Sequence, residues 1–242
     1  MTLLMKLLIS NQHGAIVMAL MPFLYGMLLS HPIWQHFFLL LAWFSLYLMT
    51  YPFLNLFKGR NLALYRKWTM IYASACFIFV IPALWYNWKI LYFAILFIPL
   101  SFVSIYFVKQ KDERALLNDL NAIIIFAIAG MAAYYFAENQ FDQRIWWVAA
   151  LPSLFFIGVT LYVKSVLRER KNPYYLIVSI LYHTVCVMIF MPFQQFSLAL
   201  AFVIPLTRAI ILPTKKLSTK QVGLAEMAIS LIFFIQLLIA TL

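Results

Sequence analysis

The apolar positions of this chain do not alternate. They run together in nine long stretches, separated by short segments that hold nearly all the charge. A hydrocarbon core of roughly 30 Å takes about 20 helical residues, because each residue of an α-helix rises about 1.5 Å. Nine stretches approximate that length: 14-30, 33-55, 68-87, 90-108, 118-137, 145-163, 174-191, 196-212 and 222-242. The pattern predicts an all-α fold, a polytopic membrane helix bundle of about nine transmembrane helices. The seventh and eighth stretches meet at MPFQQ, where Pro192 and two glutamines predict a tight hairpin and not one long helix. The longest polar loop is about ten residues, so residues 1-242 are expected to form a single integral membrane domain.

Charge gives an independent check on the count, since lysine and arginine collect in cytoplasmic loops. With the N-terminus inside, the cytoplasmic side receives Lys6, Lys58, Arg60, Arg66, Lys67, Lys109, Lys111, Arg114, Lys164, Arg168, Arg170, Lys171, Lys215, Lys216 and Lys220. The other side receives only Lys89 and Arg144, and Arg208 falls within a span. A miscounted span would scramble this alternation. The expected orientation is therefore N-terminus cytoplasmic and C-terminus outside. Trp34, Trp85, Trp88, Trp146 and Trp147 fall at the predicted outer boundaries, where amphipathic rings prefer the headgroup layer.

Composition agrees with a membrane protein. The chain is 66% hydrophobic and only 10% charged, where a soluble domain carries about 25% charged residues. The net charge of +11 follows from topology and contact with anionic lipid, so no nucleic-acid partner is expected. Cys76 and Cys186 lie inside apolar runs and form no metal-ligand spacing, and neither a metal nor another cofactor is expected. The start MTLLMKLLIS lacks a small-residue cleavage site, so it is expected to be retained.

Polar residues inside a bilayer are costly and so mark candidate function. Here they favour the cytoplasmic side. Asn11 to Gly14 enter the first helix; Thr50, Tyr51 and Asn55 leave the second; Arg114, Asn118, Asp119 and Asn121 open the fifth. Arg114, Asn118 and Asn121 share a face that descends through Ala122, Ile125, Ala129 and Ala132. That small apolar stripe fits either close helix packing or a cavity wall. Asp112 is placed to cap the fifth helix, whereas Asp119 sits a turn further in and needs a basic partner from Arg114 or another helix. Arg208 and Glu226 flank Leu217 at equal sequence distance on consecutive helices, which predicts an ion pair. It is either a structural bridge or a holder of an anionic headgroup. On the seventh helix Tyr175, Ser179, Tyr182 or His183, and Cys186 follow one face, with His183 near mid-membrane and no second histidine at its depth. Pro82, Pro99, Pro152 and Pro205 are expected to interrupt their helices. The candidate ligand-binding set is Arg114, Asn118, Asp119, Asn121, Arg208, Glu226 and His13, with no catalytic residue assigned.

The segments NQHGAIVMALMPFLYG, LYLMTYPF, ERALLNDLNAI and KKLSTKQVGLAEMAIS resemble the YwiC-like integral membrane proteins of bacteria, over nearly the whole chain. The resemblance implies a multi-pass protein of the bacterial cytoplasmic (inner) membrane and brings no activity with it. Helix count and one-sided polarity are also similar to the UbiA-type intramembrane prenyltransferases. Those enzymes hold magnesium and an isoprenoid diphosphate on two aspartate-rich motifs at the ends of the second and sixth helices. The matching segments here, YPFLNLFKGRN and VKSVLRERKNP, contain no aspartate, and Asn118-Asp119 is followed by Ala122 where a second aspartate would stand. Two magnesium ions need several carboxylates, and the chain has seven acidic residues in all. The first expectation is thus a lipid-binding protein whose cytoplasm-facing polar pocket takes a phospholipid, an isoprenoid or a quinone-like ligand. A noncanonical UbiA-like transferase, a transporter and an assembly protein stay open as alternatives, as does oligomeric state.

Overall fold

A computed structural model of the chain describes residues 7-10, 13-215 and 217-242. Among these residues there are nine α-helices and no strand: α1 (His13–Leu29), α2 (His36–Leu56), α3 (Leu62–Tyr86), α4 (Leu91–Lys109), α5 (Leu116–Glu138), α6 (Gln143–Val163), α7 (Pro173–Met188), α8 (Phe196–Ile211) and α9 (Thr219–Thr241). Seven are long and apolar enough to cross a membrane, and α1 and α7, of 17 and 16 residues, are shorter. The chain is a multi-pass helical bundle. Lys6, Asn11, Gln12 and Lys216 lie outside the described residues, as does the side chain of His13.

Helix ends follow caps more closely than they follow hydrophobicity. Ser218 and Gln221 form a reciprocal capping box that starts α9. Asn172 caps α7, with Pro173 at its first position. Helix α3 begins six residues before its apolar run, so Arg66 and Lys67 are helical. Helix α6 continues past its apolar run into a π-helical turn at Lys164–Arg168, closed by the Glu169 N–H donating to the Lys164 carbonyl at 2.7 Å. The turn Met188 to Gln195 separates α7 from α8 as a hairpin.

Two local expectations are corrected. Asp112 does not cap α5, which starts after Ala115 with no side-chain cap. The loop has already turned there, with Lys111 at φ 58°. Nor do the prolines interrupt their helices: Pro82, Pro99, Pro152 and Pro205 lie within continuous α3, α4, α6 and α8. Membrane helices tolerate proline because neighbouring groups satisfy the freed backbone carbonyls.

Helices α1, α5 and α6 pack on one another at the centre. Gly26 and Gly130 make the α1 and α5 crossing possible: a Cβ on Gly130 would stand 2.6 Å from the Pro22 carbonyl oxygen, and one on Gly26 would overlap the Gly130 carbonyl. On one flank α2, α3 and α4 join α1 and α5 through an apolar cluster around Phe23, Trp43, Phe126 and Phe136. On the other, α7, α8 and α9 join the centre around Phe155, Phe202 and Phe233, with the Phe155 and Phe233 rings stacked at 4.1 Å.

The loops sort to two ends, as the charge alternation requires. At the basic end Lys58 and Glu113 pair at 2.7 Å, joining the loop after α2 to the loop after α4. At the opposite end the His31 N–H and Nδ1 lie 2.9 and 2.6 Å from Glu138, and Lys89 donates to Asn139 at 3.2 Å. There Asp142 caps α6, accepting from the N–H groups of Arg144 and Ile145 and, at 2.7 Å, from the Tyr134 hydroxyl. Burial works against the Asp142 carboxylate, but these hydrogen bonds and the charge of Arg144 outweigh it and hold its pKa below the usual value.

Candidate functional site

The polar residues that open α5 point three ways. Asn118 donates to the carbonyl of Glu113 at 2.8 Å, closing its own loop. Asn121 is buried and donates to the Leu100 carbonyl at 3.0 Å and the Ser104 hydroxyl at 2.9 Å, tying α5 to α4. Asp119 turns to α6, where Arg168 Nη1 lies 3.2 Å and Lys164 Nζ 3.6 Å from its Oδ2. Arg114 is exposed, and its backbone carbonyl accepts from Lys164 Nζ at 2.6 Å. The need of Asp119 for a basic partner was legible in the sequence, but the identity of that partner was not. Lys164 reads as a loop lysine there. In the fold it is 4% exposed at the start of the π turn, whose extra residue rotates the rest of the chain at this helix end by roughly 100°.

A second group assembles from four helices at Arg208 of α8. Glu226 of α9 accepts a hydrogen bond from Arg208 Nη1 through Oε2. Nη2 of the same guanidinium lies 2.7 Å from His183 Nε2 on α7. Arginine carries no acceptor, so Nε2 accepts and the imidazole proton sits on Nδ1, which donates to the Ser179 carbonyl at 2.6 Å. The Tyr162 ring of α6 lies 4.4 Å from the guanidinium carbon, at cation–π distance. Glycine at 158 makes room for this histidine, since a Cβ there would lie 2.7 Å from Nε2. Arg208 is 3% and Glu226 7% exposed. Three polar atoms of this group, Tyr162 Oη, Arg208 Nε and Glu226 Oε1, are buried without a hydrogen-bond partner among the described residues, as is Ser179 Oγ on α7.

Sequence spacing brings Arg208 and Glu226 together, and α7 does bury Ser179, His183 and Cys186 on one face. It did not join His183 or Tyr162 to the pair. Periodicity gives the buried face of each helix, and not the helix it meets.

Two cavities lie elsewhere. One, of about 100 Å³, is apolar and lies among α1 to α5 against Trp43, Cys76, Phe93, Phe97, Ala129 and Ala132. Of the small stripe of α5, Ala129 and Ala132 line this cavity, while the close approach to α1 is made by Gly130, which lies off that stripe. The other, of about 220 Å³, lies at the basic end, where the π turn meets the start of α7 and the end of α8. It is lined by Ser165, Arg170, Lys171, Asn172, Leu176 and Pro213, among others. None of the candidate ligand residues whose side chains are described lines either cavity. Among the described residues no three His, Cys, Asp or Glu side chains are grouped to hold a metal ion.

Comparison with known proteins gives two full-length relatives. A Haemophilus influenzae protein described as "Uncharacterized protein" is 65% identical over 238 residues, covering 98% of this chain and 100% of the relative. A Bacillus subtilis protein, "Uncharacterized protein YwiC", is 34% identical over 222 residues, covering 92% of this chain and 93% of the relative. The model of the family described as YwiC-like protein matches residues 9-134. No solved structure matches the chain.

Proposed function

The chain belongs to the YwiC-like family, and from that premise we propose that it is a lipid-binding protein of the bacterial cytoplasmic membrane. Its basic end faces the cytoplasm and holds the anionic headgroup of a phospholipid or an isoprenoid-like lipid. The cavity bounded by the π turn of α6, the start of α7 and the end of α8 carries this reading. Arg170 and Lys171 supply positive charge, and the side-chain amide N–H groups of Asn172 supply further donors beside the N-terminus of α7. Basic pockets between membrane helices on the cytoplasmic side suit phosphate-bearing headgroups. Guanidinium and ammonium groups there gain charge-assisted hydrogen bonds to phosphate oxygens. From Leu176 at the cavity wall, the exposed stripe Ile177, Leu181, Val185 and Met188 runs along α7 and offers apolar surface for the tail.

The headgroup site thus moves from the opening of α5, where Asn118, Asp119 and Asn121 are each engaged by other parts of the chain, to the opening of α7. Mild-detergent purification followed by mass spectrometry of retained lipid tests the proposal. Wild-type protein is expected to retain an anionic lipid above detergent background, and Arg170→Ala/Lys171→Ala to lose most of it. Equal retention by both proteins, or none by either, would refute it.

A further inference from the structure

Three unpartnered atoms belong to residues that touch one another at Arg208, and their chemistry is complementary. Arg208 Nε can only donate, Glu226 Oε1 only accepts when ionised, and the hydroxyl of Tyr162 does either. All three residues are more than nine-tenths buried. They come from three different helices, so the mismatch is not a local turn that a rotamer change within one helix would relieve. Leaving buried polar groups unpaired costs about 1-3 kcal/mol each, which a bundle this well packed does not repeat three times at one site without compensation.

We infer that this cluster is an internal hydration site, where ordered water bridges Arg208 Nε to Glu226 Oε1 and engages the hydroxyl of Tyr162. Water needs about two to four polar partners, and the cluster supplies them in both senses. An anion would meet the carboxylate of Glu226, and a cation the guanidinium of Arg208, so neither fits as well as a neutral molecule that both donates and accepts. The bridge would complete the hydrogen bonding of a buried ion pair, which repays its desolvation only when its remaining donors and acceptors are met. The site is distinct from the headgroup cavity and stands independently of it. The two are nonetheless neighbours along the chain: Tyr162 packs in one cluster with Val166, and Val166 and Ser165 line that cavity.

Radiolytic hydroxyl labelling of wild-type protein in lipid nanodiscs, in ¹⁸O water, reads the site directly, because bound water generates the radical beside its neighbours. Tyr162, 0% exposed, is expected to take up label faster than Phe155 and Phe202, each 1% exposed, after correction for intrinsic ring reactivity. A second reading comes from Tyr162→Phe. Loss of a hydrated hydroxyl lowers the Tm, by about 2-4 °C for the loss of one hydrogen bond, whereas removal of a dry, unpaired one raises it. Labelling of Tyr162 no faster than the two phenylalanines, or a Tm raised by the substitution, would overturn the inference. The labelling arm needs no variant and stands whether or not Tyr162→Phe folds.

Discussion

The two flanks of the bundle are built on opposite principles. On the α2 to α4 side the interior is aromatic and aliphatic, its cavity is apolar, and side-chain hydrogen bonds such as that from Trp43 Nε1 of α2 to the Ala19 carbonyl of α1, at 2.9 Å, join uncharged groups of neighbouring helices. On the α6 to α9 side a guanidinium, a carboxylate, an imidazole and a phenol are drawn from four helices into one buried group. Lipid tails are as apolar as the helix faces, so the hydrophobic effect does little to hold one membrane helix against another. Close packing holds the first flank. Polar interactions fix the second, and an element fixed by charge is specific in geometry but intolerant of half-removal.

The largest expected effect breaks that second principle. Arg208→Ala or Glu226→Ala leaves a buried charge without its partner and should destabilise by about 3-5 kcal/mol in reversible unfolding. Replacing both, Arg208→Met with Glu226→Leu, should recover most of the loss, because an apolar pair of similar volume avoids the desolvation. If the double variant is no more stable than the singles, the pair is not the unit described. On the first flank Trp43→Phe keeps a ring in the core and removes one hydrogen bond, so a loss of only about 1 kcal/mol is expected. A loss as large as that of Arg208→Ala would erase the contrast between the flanks.

The smallest effect belongs to the end opposite the basic loops. Asp142 has a folded pKa below its unfolded value, so its contribution to stability is present above an unfolded pKa of about 3.9 and is lost as pH falls through the folded value. Asp142→Asn should therefore lower stability at neutral pH and flatten its decline below about pH 4. An unchanged acid limb in the variant would place that decline elsewhere.

Most of the fold was legible, because a membrane span is set by length and hydropathy and the basic loops recur at one side. Helix ends were less legible: the apolar runs start the seventh and ninth helices at 174 and 222, whereas caps at Asn172 and Ser218 start them at Pro173 and Thr219, and α5 starts after Ala115 with no side-chain cap. The site was legible in pieces. Equal spacing from Leu217 brings Arg208 and Glu226 together, yet His183 and Tyr162 reach them only through the packing of α6 and α7 against α8 and α9, which no single-helix period encodes. The basic cavity was hidden for a different reason: its residues read as ordinary cytoplasmic loop, and the π turn that shapes its wall leaves no mark on composition.

The central claim, that an anionic lipid is held on the α6 to α8 side, is tested most directly by photo-crosslinking. Protein in nanodiscs doped with a photoactivatable phosphatidylglycerol analogue, digested and sequenced by mass spectrometry, should yield adducts concentrated between residues 165 and 188, reduced in Arg170→Ala/Lys171→Ala. Adducts concentrated instead on the apolar cavity of the other flank, between residues 76 and 97, or spread evenly over all lipid-facing helices, would contradict it.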